Sequence, residues 1–429
     1  MINIKKTGAN FERESLIAPF GFKGKYINEL WQTVAMLEGE TGSRGIGLGV
    51  QSILWSDSQV FANYGGMAGN SIMYLMTEYA VKIAKNMSFE TPIDLLDKLL
   101  LPVYEYGKRI SGCPNLKKTF ALNALVPVDN AAWLLYSSEK EIDSFDSLIP
   151  EEYRSSLSYR HDRLASVPLI TYGVSLKEII ELTEKGYFFF KIKIGSDPDK
   201  DGDLDKMLEW DRNRLSEIHR VLKDIEIPYT ENNHILYYLD ANGRYDSKER
   251  LNKFLEHAER IGALDRIILL EEPFPEEYKV NVRDLPVRLV ADESAHSDKE
   301  ALERIELGYG AIALKPIAKT LSMSFKIAKL AFEKGIPCFC ADLTVNPVMV
   351  DWNKNVAARL SPFAGLNIGV LESNGSQNYK NWDLLKSYHP GNGAKWLDTV
   401  EGLFNLDEDF YRRSGCIFDV SNHYTSMFL

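Results

Sequence analysis

Seven polar residues, Lys193, Asp240, Glu271, Asp292, Lys315, Asp342 and Glu372, each close a short run that is otherwise apolar. A core position would not choose them, because taking an unpaired charge out of water is costly. Asp240, Glu271 and Asp292 close three consecutive runs, which would set three oxygen donors around one point. Hard oxygen ligands with no His or Cys among them suit magnesium, with manganese as an alternative, and leave positions for water or substrate. Lys191 and Lys193 stand two apart, so on a strand they share one face. Two lysines buried side by side need carboxylates close by, or they lose their charge. Taken singly, an Asp before Ala-Asn-Gly is a turn residue and a strand-end Lys or Glu is solvated. The ordered set argues for chemistry.

The elements that must position these residues are legible from about residue 168. Eight apolar runs alternate with amphipathic stretches: PLITYG, FFFKIKIG, ILYYLDAN, RIILLEEP, VRLVADES, AIALKP, PCFCADL and LNIGVLES. Helical stretches such as SKERLNKFLEHAERIG and TLSMSFKIAKLAFEKG lie between them, the second ending at Gly335 as a C-cap. Strand alternating with helix predicts a parallel sheet, and eight repeats predict an α/β fold of the TIM type, a closed (β/α)8 barrel. In such a barrel chemistry sits at the C-terminal ends of the strands, where the seven polar residues fall. Strand parity places Phe190 and Ile192 toward the helices, and stacks Ala311 and Ala313 inside, beneath Lys315.

Residues 1–165 read as a separate α+β capping domain. WQTVAMLEGETGSRGIGLGVQ has the look of a β-ribbon turning at its Gly-rich centre, and NSIMYLMTEYAVKIAKNM of a helix. The barrel occupies 166–375, and 376–429 has no barrel repeat and is expected to fold back on the cap. The polar stretch IPYTENNH, before the third run, is expected to lengthen a loop on the bottom face.

The chain of 429 residues is 45% hydrophobic and carries a formal net charge of −11. No cluster of Lys and Arg is present to bind phosphates, which argues against a nucleic-acid partner. No apolar stretch reaches the length of a membrane span and MINIKKTGANFERES lacks the core of a signal peptide, so a cytoplasmic protein is expected, with no membrane partner. The four cysteines, Cys113, Cys338, Cys340 and Cys416, are too few for a disulfide framework.

The ordered set Lys191-Ile192-Lys193, Asp240-Ala241-Asn242, Glu271-Glu272-Pro273, Asp292-Glu293-Ser294 and Lys315-Pro316 resembles the enolase superfamily, in its muconate-lactonising-enzyme-like subgroup. The stretch ALNALVPVDNAAWLLYSSE also looks like the helix that precedes the barrel in that family. The resemblance implies that Asp240, Glu271 and Asp292 bind Mg2+, with Asn242 supporting them from behind. It implies that Lys193 and Lys315 are the acid/base pair on opposite sides of a small-molecule carboxylate, and that Lys191 binds that carboxylate. It further implies a cap whose Gly-rich loop closes the barrel mouth, placing Gly45 to Gly49 and Trp55 near the substrate. A homo-oligomer is expected.

The implied reaction removes the proton next to a carboxylate, which requires the developing negative charge to be neutralised as it forms. Two lysines across one carbon fit racemisation or epimerisation first. Cycloisomerisation and dehydration by β-elimination stay open, as does a barrel that binds metal without turnover. Dipeptide epimerases of the subgroup resemble one another in an Asp-x-Asp pair at the eighth strand; here the stretch reads Glu372-Ser373-Asn374. Glu372, or Asp342 from the seventh strand, is expected to hold an ammonium or a hydroxyl of the substrate. The catalytic His typical of the mandelate-racemase branch has no counterpart near Asp342, and His296 reads as a loop residue.

Overall fold

The computed structural model describes every residue except 23, 24, 364 and 367. The chain opens with a long antiparallel ribbon, β1 (Ile2–Phe22) and β2 (Lys25–Gly39), followed by β3 (Arg44–Gln51) and the short β4 (Ser88–Phe89), in the order β3-β2-β1-β4. The expected Gly-rich turn lies between β2 and β3: Gly39 N–H donates to the Ser43 carbonyl (2.9 Å), and Gly42 supplies φ +88°. Helices α1 (Ile53–Ser56), α2 (Ser58–Ala84), α3 (Pro92–Ser111) and α4 (Lys118–Lys140) complete the cap.

Helix α4 is buried over most of its length, because β3 covers it on one side and the barrel on another. Alternate residues Gly45, Gly47 and Gly49 of β3 face it, and a Cβ on Gly47 would lie 2.2 Å from both the Ala131 nitrogen and the Pro127 carbonyl oxygen. Backbone cannot yield as a side-chain tip can. Gly47→Ala is therefore expected to destabilise the fold by about 2 kcal/mol or more, read as a lower urea midpoint. On its barrel side α4 anchors Ser322: Asp129 accepts from Ser322 N (3.1 Å) and from its hydroxyl (2.5 Å), and Trp133 Nε1 donates to Ser322 Oγ (3.0 Å).

The barrel strands are β5 (Arg163–Val167), β6 (Leu169–Ile170), β7 (Phe189–Lys193), β8 (Leu236–Asp240), β9 (Ile267–Glu271), β10 (Leu289–Ala291), β11 (Ala311–Leu314), β12 (Cys338–Cys340) and β13 (Gly369–Glu372). β5 and β6 are one strand interrupted at Pro168, whose ring removes a ladder donor. β5 pairs with β13 and β6 with β7, all in parallel, and Lys191 N–H donates to the Pro168 carbonyl (3.1 Å). The eight expected runs thus form one curled parallel sheet closing on itself. Its interior holds Val167, Phe189, Tyr238, Leu269, Val290, Ala311, Ala313 and Phe339, while Phe190, Ile192, Ile312 and Leu314 pack outside, as alternation requires. The IPYTENNH stretch lies at the bottom, with Thr230 bridging to Leu366 and Tyr229 packed on Phe188.

The C-terminal stretch goes to two places. The hairpin β14 (Thr399–Val400) and β15 (Leu403–Asn405) joins the barrel sheet, β15 running antiparallel to β5. Residues 422–428 lie on the cap ribbon: His423 Nε2 meets Glu12 Oε2 (2.7 Å), and Asn10 Nδ2 donates to the Met427 carbonyl (3.1 Å). Nearer the mouth, Lys380 N–H donates to the Ser15 carbonyl (3.0 Å). Among the described residues no helix is long and apolar enough to cross a membrane.

Candidate active site

Strand register brings the sequence motifs into one row. Lys193 is the Cα partner of Asp240, and Asp240 of Glu271. Asp292 and Lys315 follow β10 and β11 by one residue, Asp342 follows β12 by two, and Glu372 ends β13. Where the chain leaves these strands, Asn242 (φ +45°), Glu272 (φ +40°) and Thr344 (φ +58°) adopt left-handed backbone, a conformation costly for residues with a Cβ. Glu272 is held there because its Oε1 accepts from Asp292 N (2.7 Å), Ser294 N (2.9 Å) and Ser294 Oγ (2.7 Å), which also fixes the loop carrying Asp292.

Between cap and barrel lies a small cavity. All ten candidate residues line it: Lys191, Lys193, Asp240, Asn242, Glu271, Asp292, Lys315, Asp342, Glu372 and Trp55. Sequence reasoning passed over Glu293, Thr344, Asn374 and the apolar wall of Ile27, Leu30, Leu54 and Leu343. Gly45 to Gly49 are absent from the lining. Their place on β3 is set by the close approach of α4, so the expectation that they close the mouth is wrong; Ile27 and Leu30 of β2 take that position. Trp55 does reach the site, and its ring lies 4.5 Å from Lys315 Nζ, a cation–π contact. It is aimed by Asn123 of α4, which accepts from Ser52 N (2.9 Å) and donates to the Val50 carbonyl (2.9 Å), and by Asp57, which caps α2.

The charges pair densely. Lys191 Nζ lies 3.1 Å from Asp240 Oδ2, 3.1 Å from Glu271 Oε1 and 3.2 Å from Glu372 Oε2, above the face of Tyr238. Burial works against its ammonium, but these carboxylates outweigh it and hold the pKa well above the usual lysine value. Lys193 Nζ is 2.5 Å from Asp240 Oδ2 and 2.6 Å from Asn242 Oδ1. Lys315 pairs with Asp292 Oδ2, and burial is again outweighed, leaving the lysine above its ordinary range. Burial instead dominates at Glu271, pushing its carboxyl up to about 8.

Lys319, buried at 1% exposure, was not foreseen. It donates to the carbonyls of Asp292 (2.5 Å) and Ala295 (3.2 Å) and lies 3.1 Å from Asp292 Oδ1. Its signal was its distance from Lys315, one helical turn along Pro316–Lys319. Lys319→Met leaves a buried carboxylate short of a partner and is expected to cost about 3 kcal/mol, measured by chemical denaturation.

The donor set at the barrel mouth suits a divalent cation. Glu271, Asp292 and Glu293 offer oxygens within 4.8 Å of one another, and Glu293 Oε2 is buried with no hydrogen-bond partner among the described residues. All these donors are hard oxygens, which fits magnesium. Asp240 falls outside that compact group because Lys191 and Lys193 both hold its Oδ2. It still ends the adjacent strand, in register with Glu271.

No protein-family model and no curated relative matches the sequence. Solved structures do match. A dipeptide epimerase from Enterococcus faecalis V583, complexed with Mg and the dipeptide L-Leu-L-Tyr, superposes with a TM-score of 0.64 at 18% identity, over 95% of this chain and 98% of that one. A mandelate racemase/muconate lactonizing protein from Herpetosiphon aurantiacus gives 0.64 at 15% identity, over 94% and 96%. The L-Ala-D/L-Glu epimerase from Bacillus subtilis gives 0.61 at 17%, over 88% and 91%. Capping domain and barrel together are thus the fold of these enolase-superfamily structures.

Proposed function

We propose that this chain is an enzyme that removes the proton next to a substrate carboxylate and, as a racemase or epimerase, returns one on the opposite face. One observation carries the reading: Lys193 ends β7 and Lys315 follows β11, four strands apart in a ring of eight and so directly across the barrel. Asp240 and Glu271 end β8 and β9 between them, and Asp292 follows β10. The solved structures with this fold include two epimerases.

Each residue has a part that its surroundings support. Asp240, Glu271 and Asp292 would hold Mg2+, with Mn2+ as a substitute, and the cation would supply neutralisation of charge at the substrate carboxylate. Lys191, its ammonium met by three carboxylates, suits binding of the anionic end of the substrate. Asp240 and Asn242 orient Lys193. Lys315, beside Asp292 and under Trp55, is held as an ammonium and is ready to donate a proton; after donation it can act as base in the reverse direction.

The test is deuterium wash-in. With magnesium in heavy water, a panel of dipeptides, amino-acid derivatives and hydroxy acids is followed by NMR at the α-proton. Exchange with inversion is the expected result. Loss of water or ring closure would move the assignment to a dehydratase or cycloisomerase, and silence across the panel would favour a barrel that only binds.

A further inference from the structure

Asp211 stands outside the cavity, on the helix Leu204–Leu222, and is fully buried. A carboxylate taken that deep costs stability unless its oxygens are met. Here both are. Gly195 N lies 2.8 Å from Oδ1 and 2.8 Å from Oδ2, Ser196 N donates to Oδ1 (3.4 Å), and the Tyr245 hydroxyl donates to Oδ2 (2.8 Å). Burial still pushes the carboxyl up to about 7 against these donors.

The donors come from two turns. Gly195 and Ser196 belong to the turn that follows Lys193, and Tyr245 to the turn that follows Asp240, so Asp211 bridges the exits of β7 and β8. The turns also press together directly: Gly195 has φ +78°, and a Cβ on it would lie 2.6 Å from Arg244 Cβ. Between them Ile194 N donates to the Asp240 carbonyl (2.9 Å), and the Tyr172 hydroxyl donates to the Ile194 carbonyl (3.1 Å). Lys315 is held by other means. Its carbonyl accepts from Ala318 N (2.9 Å) and Lys319 N (2.7 Å), and its Nζ meets Asp292 and the Trp55 ring. None of the Asp211 hydrogen bonds goes to that side of the barrel.

We propose that Asp211 is a positioning residue for Lys193: by tying Gly195 and Ser196 to Tyr245 it fixes where β7 ends, and with it where the lysine Nζ stands relative to the substrate carbon. This role rests on the two-lysine reading above and confines itself to one face of that carbon. Displacing a reacting group by about 1 Å costs on the order of 10²-fold in rate, so a loosened strand end is felt strongly.

The test compares the two antipodes within each variant. Lys193→Ala first identifies the antipode whose α-proton exchange depends on Lys193. Asp211→Asn keeps the size of the side chain and removes its charge and one acceptor, whereas Tyr245→Phe removes a single donor and carries the test if Asp211→Asn does not fold. In Asp211→Asn, kcat for exchange from the Lys193 antipode is expected to fall about tenfold or more, with KM little changed and the other antipode within about twofold of wild type. Tyr245→Phe should shift the same antipode in the same direction by a smaller factor. Backbone amide exchange at Gly195 and Ser196, read by mass spectrometry, should quicken in both variants. A residue that only stabilised the fold would slow both antipodes alike. That outcome, slowing of the other antipode alone, slowing of neither, or unchanged amide exchange overturns the role of Asp211 and leaves the two lysines in place. If Lys193→Ala and Lys315→Ala fail to divide the antipodes, the two-lysine reading falls and takes this role with it.

Discussion

Lys193→Ala and Lys315→Ala should each abolish α-proton exchange from one antipode of the substrate while sparing exchange from the other. The expectation follows from their places on opposite strands of the ring, β7 and β11, so that each can reach only one face of a carbon held between them. Loss of a positioned acid or base costs roughly 10² to 10⁴-fold in rate, well outside assay error. The readout is wash-in from each antipode in turn. Neither change should unfold the protein, since Asp240 keeps Lys191 when Lys193 is lost, and Asp292 keeps Lys319 when Lys315 is lost. Thermal melts supply that control. If both variants lose both exchanges equally, one lysine is the base and the other a fixed cation, and the reaction is an elimination or a cyclisation.

The second large effect concerns Asp240. Asp240→Asn is expected to weaken magnesium binding by about 100-fold or more and to stop exchange from both antipodes. Titration calorimetry with Mg2+, or Mn2+ followed by its paramagnetic signal, reads this directly. Glu293→Gln is the informative companion, because Glu293 belongs to the compact oxygen group with Glu271 and Asp292 and has an unpartnered oxygen. If Glu293→Gln loses the cation and Asp240→Asn retains it, Glu293 replaces Asp240 as the third ligand. Asp240 would then act chiefly by holding Lys191 and Lys193 together.

The barrel and its polar rim were legible because both follow from strand periodicity. A run such as FFFKIKIG states its own inward face, and the residue that ends it is the one at the mouth. The cap was less legible. The alternation in Gly45-Ile46-Gly47-Leu48-Gly49 does signal a backbone meeting something closely, but not whether that is a ligand or, as here, helix α4. Ile27 and Leu30 carried no signal, since their arrival at the cavity depends on how the whole ribbon is set over the barrel. Glu372 and Asp342 looked equivalent in sequence. Their difference lies in three dimensions: Lys191 reaches one and not the other. The hairpin Thr399–Asn405 could not be read as part of the barrel sheet because it is short, antiparallel and outside the repeat.

The terminal contacts also dictate an order of events during synthesis. Strand β1 leaves the ribosome well before residues 423–427, its lodging against which spans more than 400 positions of chain. β5 likewise waits for β15. Contacts that close such long loops form late, and partly folded chains form before them. The barrel strands β7 to β12 have only near neighbours in sequence to find and can gather earlier. A nascent chain therefore passes through a stage in which the cap's own ribbon and helices can form but their seam with residues 423–427 cannot. During that stage the part of β1 that residues 423–427 cover is open to chaperones and proteases, and disruption of that seam would prolong it.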